Sequence, residues 1–447
     1  MASPYYLWSG AGGSATGADW TNAFTTLTAA IAAATTNGDV IKVHKSHTEE
    51  LGADTTYTPT ANINIICVDK DASDALATMG TAAWIGNSST ARAITLASAK
   101  TIYMRGVTFR ISPGSARLLT VASADGGSYD LVSCYLWLGS DATGSRIQFG
   151  GATNGSNTFV RLINSTLRIG NVVQSILLGA HCELIGCSLS SSGSVPTYLF
   201  STPTNDIGGA SMKCIDCDWS YATGTLVADM AYFSATIEMY GCKLGSGVTP
   251  LASQTNTSNA SGELFLFDCS SGDNHYEFGH YSALGNTVAV TSPYVSDGAL
   301  YDGTNHVTWS ITTSAYATFY APYRSPWINK YHSGTSAITP NIEGLKINDA
   351  TVAQDDEIWA EFTYKGTSGY VLGTLVNDRM TVLGTAADQT SSKTYSDWTA
   401  SPATDSGDSV FKLQSASITP AELGMLCARV CVGAASVTVY IDPQIRT

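Results

Sequence analysis

One short segment recurs seven times between residues 102 and 271: Ile102 to Phe109, Tyr129 to Leu136, Val160 to Leu167, Cys182 to Leu189, Met212 to Trp219, Ile237 to Leu244 and Leu264 to Ser271. Such a repeat restricts a chain to stacked arrays, because one unit this small buries its apolar face only against a copy of itself. Aligned on one position, the copies superpose Val107, Cys134, Ser165, Cys187, Cys217, Cys242 and Cys269, spaced 22 to 31 residues apart. A constant strand pattern at variable spacing implies equal rungs joined by loops of unequal length.

Each aligned column has its own physical character. Five residues ahead of the aligned site stand Ile102, Tyr129, Val160, Cys182, Met212, Ile237 and Leu264, and three ahead stand Met104, Leu131, Leu162, Leu184, Cys214, Met239 and Leu266. This period-two alternation marks an inward face. Directly ahead come Gly106, Ser133, Asn164, Gly186, Asp216, Gly241 and Asp268. These types tolerate left-handed or bridging backbone angles, so the strand is expected to bend there. The inward face resumes at the aligned site and two residues on, at Phe109, Leu136, Leu167, Leu189, Trp219 and Leu244. Strand, one-residue corner, strand and variable loop describe the coils of a right-handed parallel β-helix.

Three ladders follow from stacking the rungs ~4.8 Å apart. Four residues ahead of the aligned site, Asp130, Arg161, Glu183, Lys213 and Glu238 alternate in charge. Each exposed pair is worth only ~0.2–1 kcal/mol, so this charge ladder reads as register control. The aligned Cys134, Cys187, Cys217, Cys242 and Cys269 read as a structural ladder of reduced core thiols, since parallel Cβ vectors strain a disulfide. Serine in that column is expected to leave a poorly paired hydroxyl. Two residues ahead, alternation should face side chains outward, yet Val132, Ile163, Ile185, Ile215, Tyr240 and Phe267 are apolar. Six such rungs make a stripe ~25 Å tall, more than a monomer usually leaves in water. Its expected cover is identical stripes around a threefold axis, so these six are the candidate oligomer interface.

The flanking segments complete an all-β class with one helix. Asp19 precedes an apolar stripe at Phe24, Leu27, Ile31 and Ala34 that ends at Asn37-Gly38, predicting a capping helix over about 18–37. Asp39 to Val43 follows as a first strand. Past about residue 300 the repeat stops, and shorter alternating segments appear at His306 to Ile311, Tyr316 to Ala321, Glu357 to Tyr364, Phe411 to Leu413, Met425 to Val432 and Ser436 to Ile441. The expected organisation is therefore a capped β-helix over 1–300 and an antiparallel β-sandwich over 301–447.

Composition and residue chemistry limit the functions open to this fold. Twenty-two basic against 36 acidic residues give a net charge of −14, which disfavours binding to nucleic acid. Met1 to Tyr6 has no basic or apolar signal region, and no run of apolar residues is long enough to span a membrane. Cys214-Ile215-Asp216-Cys217 is a lone Cys-x-x-Cys pair, and the seven histidines (44, 47, 181, 275, 280, 306 and 332) have no triad spacing. No metal, cofactor or catalytic residue is expected. The candidate acids for glycoside chemistry, Asp130, Glu183, Asp218 and Glu238, lie in columns beside basic residues and read as structural. Asp355-Asp356-Glu357 is the densest acidic run and reads as a solvated turn rather than a calcium site. Cys427 and Cys431, on one strand face but too far apart to bond each other, could each bond another chain.

These residues resemble a family of uncharacterised tailed-phage virion proteins. The resemblance rests on the tryptophan-containing cap from Trp20 to Gly38, the strand from Gly38 to Val43 with His47-Thr48-Glu49, the seven rungs, Asp355 to Trp359, and Val439-Tyr440-Ile441-Asp442-Pro443. It implies a virion component similar to trimeric capsid decoration or linking proteins, with the major capsid protein or other virion proteins as partners. His47 and Glu49, which match the family's element, are expected to make a structural hydrogen bond between early coils. The alternative is a tail fibre or tailspike that binds or depolymerises host surface polysaccharide. Because the cap helix is expected to begin within the first ~20 residues, with no particle-binding domain ahead of it, attachment through the flank, the loops or the sandwich is expected.

Overall fold

A computed structural model describes the chain from Pro4 onward, apart from residues 125, 141, 152–156, 171–175, 202–209, 230–234, 252–261, 273, 283–286, 293–308, 319–320, 348–357, 367–408, 415–416, 421, 437, 442–443 and 446. The protein is mostly β. It comprises a parallel β-solenoid of about seven turns, one short helix and small C-terminal antiparallel sheets. Two compact units divide between Asp273 and Asn274.

In the solenoid, the strands before the corner (Thr101–Arg105, Ser128–Val132, Phe159–Ile163, His181–Ile185, Ala210–Ile215, Ala235–Tyr240 and the start of Glu263–Ser271) pair in parallel. Their register places Ile102, Tyr129, Val160, Cys182, Met212, Ile237 and Leu264 in one column, as the sequence alignment requires. The corner residues Gly106, Ser133, Asn164, Gly186, Asp216, Gly241 and Asp268 all have positive φ, between 49 and 68°. A left-handed residue turns the chain while keeping one side-chain period, so the inward face resumes immediately after it.

The segments before and between the repeats hold a further parallel sheet. Eight short strands stack there, among them Ile94–Leu96, Leu118–Val121, Arg146–Phe149, Ile176–Leu178 and Tyr198–Ser201. The three sheets together enclose a core of fully buried side chains including Phe109, Tyr129, Phe149, Phe200 and Trp219.

The N-terminal cap is built differently from the sequence expectation. The helix spans only Leu27–Ala33, with the Thr26 side chain accepting from the Ala29 N–H as N-cap. Phe24 instead lies in a parallel bridge with Leu7, its N–H donating to Tyr6 O at 2.8 Å, which fixes extended backbone ahead of the helix. Pro4–Leu7 is a further strand, pairing in parallel with Asp39–His44.

In the second unit, antiparallel pairing begins at Asn274–Ser282 and proceeds through Thr287–Ser292, Trp309–Thr312 and Thr438–Ile441 to Asn341–Ile347 and Ser409–Gln414. A second sheet centres on Gly424–Val432, flanked by Ile358–Gly366 and by Tyr323–Arg324 with Ile328–His332. One hydrophobic cluster draws on both, including Ile311, Ile342, Val439, Trp359, Phe362 and Val430. The described residues of the expected Tyr316 to Ala321 strand, 316–318 and 321, lie in no strand. The Tyr316 N–H folds back to Ser314 Oγ, and Thr318 and Ala321 pair in an isolated antiparallel bridge. Residues 306–308 of the expected His306 to Ile311 strand lie outside the described residues.

Candidate functional site

The left-handed corner leaves backbone carbonyls off the regular ladder, and this explains the aligned column. Cys187 Sγ lies 3.5 Å from Leu162 O on the preceding rung and 3.6 Å from Ile185 O, and Cys217 and Cys269 repeat the arrangement on Leu184 O and Met239 O. Ser165 does the same with its hydroxyl, which donates toward Leu131 O and Ile163 O and accepts from the Cys134 N–H at 3.0 Å. Six of the seven residues in the column, all but Val107, are small side chains with a donor. The expectation that serine would be poorly paired here is therefore corrected by Ser165 itself.

All ten cysteines are free, and only Cys427 is partly exposed. Burial pushes the Cys134 thiol up to about 11 and Cys182 higher still. Cys431 is fully buried, so an interchain bond is open to Cys427 and not to Cys431. Titration of the native protein with a thiol reagent is expected to find one fast-reacting thiol, and titration after denaturation without reductant all ten. Two or more fast thiols in the native protein would contradict this packing.

The charge column stacks in register as Asp130, Arg161, Glu183, Lys213 and Glu238. Arg161 forks onto Asp130 with two bonds of 2.9 Å. Farther along, the column is held by an aromatic ring rather than by ion pairs: Lys213 Nζ lies 5.2 Å from the Tyr240 ring centroid, and the Tyr240 hydroxyl donates to Glu238 at 3.0 Å. Asp218 stacks beside Lys243 in its column but takes its hydrogen bonds from the Ser220 N–H and hydroxyl, which hold its carboxyl below the usual range.

Val132, Ile163, Ile185, Ile215, Tyr240 and Phe267 stand in register on the outer face, each partly exposed. The Tyr240 and Phe267 rings stack with centroids 4.7 Å apart. Their carbonyls accept the corner N–H groups of the neighbouring rung, as in Asn164 N–H to Ile185 O at 2.8 Å and Gly186 N–H to Ile215 O at 2.9 Å. The corner bonds thus tie neighbouring rungs of the stripe together, and its side chains stay on the outer face instead of turning into the core.

His47 and Glu49 are buried at the cap. His47 Nδ1 accepts from the Ser9 N–H at 2.9 Å, leaving Nε2 to donate toward Glu49 at 3.4 Å, while Glu49 accepts the Leu27 N–H at the start of the helix at 2.7 Å. The pair ties the helix to the first coils. His44 lies nearby, 4 % exposed beneath the rings of Trp8 and Trp20. Its ring, Asp69 and Asp71 bring ligand-type atoms within 4.8 Å of one another. Lys45 and Lys70 already neutralise the two carboxylates at 2.6 and 2.7 Å, so the cluster is charge-balanced without a cation. The acidic run Asp355-Asp356-Glu357 lies outside the described residues, as do Asp442 and Pro443.

Burial, and then the charge of Lys70, hold the His44 pKa below its ordinary 6.5. The unfolded chain takes up a proton that the folded imidazole resists. The contribution is full above about pH 6.5 and is lost as pH falls through the depressed folded value. Amide exchange in residues 4–24, corrected for intrinsic rate, is expected to accelerate from about pH 7.5 to about pH 5 and to stay level in a His44→Phe variant. Equal acceleration in both proteins would remove His44 as the cause.

No family model and no curated protein matches the chain. Among the described residues, no helix is long and apolar enough to cross a membrane.

Proposed function

We propose that the protein is a structural component of a tailed-phage virion, acting without catalysis as a trimeric capsid decoration or linking subunit. The observation that carries this reading is the apolar stripe from Val132 to Phe267, partly exposed and held in register over six rungs. A surface of this kind in water favours association, and a closed threefold arrangement buries it without open-ended growth. Three of the four acids weighed for glycoside hydrolysis are occupied structurally: Asp130 by Arg161, Glu238 by Tyr240 and Asp218 by Ser220. The major capsid protein or another virion protein is the expected partner, and the particle surface the expected location.

Copy number in purified virions tests the proposal. A decoration subunit follows the capsid lattice and should be present at on the order of a hundred copies or more, whereas a tail appendage would be present at about a dozen. The low figure would replace decoration with the tail reading. Release of reducing ends from host surface polysaccharide by the purified protein would overturn the non-catalytic part separately.

A further inference from the structure

The strand Asp39–His44 ends at a tight turn, closed by the His47 N–H donating to His44 O at 2.8 Å, which brings Ser46 back over the end of the strand. There the Ser46 N–H and hydroxyl both meet His44 Nδ1, at 3.2 and 2.6 Å. A backbone N–H can only donate, so Nδ1 carries the lone pair and the hydroxyl turns its hydrogen toward it. The His44 ring is buried, Nε2 included, and the rings of Trp8 and Trp20 pack against it with centroids 5.2 and 5.6 Å away. Burial, and then the charge of Lys70, keep it neutral near pH 7, the form in which it accepts a proton.

Ser46 itself is exposed and lines a cleft of about 280 Å³ with Lys45, Thr78, Gly80, Ala82 and Ala83. The cleft wall is small and mostly apolar, and among the described residues no acceptor takes the N–H of Thr78 or Ala82. Asp69 and Asp71 each bring a carboxylate oxygen within 4.8 Å of a His44 ring nitrogen, opposite in sign to the imidazolium that a proton would create. The turn does not need the hydroxyl, because the His47 and Ser46 N–H groups already close it. A hydroxyl held on a neutral, fixed imidazole at the mouth of a cleft is the arrangement of an activated nucleophile.

We infer that Ser46 is an acyl-acceptor site, with His44 as its base, that takes a short acyl group from an activated ester or thioester. The bond from Ser46 Oγ to the carbonyl carbon forms as the bond from that carbon to the leaving group breaks. The Oγ proton passes to His44 Nδ1 and departs with the alkoxide or thiolate. The small apolar wall suits a short, uncharged chain, and the open N–H groups of Thr78 and Ala82 suit the carbonyl oxygen as it gains charge. One transfer per chain is a modification at the cap, and it does not depend on the stripe or on the assembly proposed above.

The probes are p-nitrophenyl butyrate and, because its adduct does not hydrolyse, a short alkyl fluorophosphonate, each incubated with the full chain near neutral pH, quenched in acid and followed by intact mass and peptide mapping. One adduct per chain is expected, on Ser46, and none in Ser46→Ala. The His44→Phe variant should react more slowly by on the order of a hundredfold at an unchanged melting temperature, the usual worth of a general base. Ser46→Cys, a one-atom exchange at an exposed position, covers the case in which His44→Phe disturbs the cap. Its new thiol should react with iodoacetamide at least tenfold faster than Cys427, because a neighbouring imidazole draws off the proton. The inference is overturned if neither probe modifies Ser46, if the acyl group lands on Lys45 instead, if His44→Phe reacts as the wild type does, or if the Ser46→Cys thiol reacts no faster than Cys427.

Discussion

Replacing Gly241 with valine should destabilise the solenoid by about 2–3 kcal/mol, most of it from the positive φ that the corner imposes. Gly241 sits at φ +61°, a region that β-branched residues avoid, and a Cβ there would collide with the Asp216 carboxylate of the preceding rung. Its N–H also donates to Phe267 O at 2.9 Å, so a backbone shift that relieved the clash would break the bond that pins the next rung. Asn164→Gly supplies the control. It removes a side chain from the same column at φ 49°, where glycine is at ease, and should change stability by no more than about 1 kcal/mol. Melting temperatures of the two variants check the pair. A valine variant as stable as the wild type would mean that the corner does not hold the register.

Ile185→Asp combined with Ile215→Asp is expected to turn the assembled protein into a folded monomer. The two side chains are adjacent in the stripe and partly exposed, so in a lone chain the new carboxylates reach water at little cost. Across a threefold interface they would place six like charges against apolar rungs, and burying even one unpaired charge costs several kcal/mol. Circular dichroism should therefore be unchanged while sedimentation slows. An unfolded double variant would instead mean that the stripe belongs to the core, and an intact oligomer that it faces solvent throughout.

Much of the solenoid was legible because its signals are chemically distinct. Inward columns alternate with period two, and the corner requires residues that accept positive φ, so Gly106, Ser133, Asn164, Gly186, Asp216, Gly241 and Asp268 mark both the bend and the register. The third sheet left no comparable trace. Strands such as Leu118–Val121 and Ile176–Leu178 are three or four residues long and apolar, too short to separate from buried loop by periodicity. The expected cap helix runs longer than the observed one because Phe24 falls on a helical stripe with Leu27, Ile31 and Ala34, whereas Phe24 is held by a bridge to Leu7, far ahead of it in the chain.

The native mass of the wild-type protein, measured by light scattering at micromolar concentration and away from any virion, tests the central claim most directly. A closed oligomer built on the apolar stripe predicts a monodisperse species of three times the 46.8 kDa chain. A monodisperse species of 46.8 kDa would contradict it.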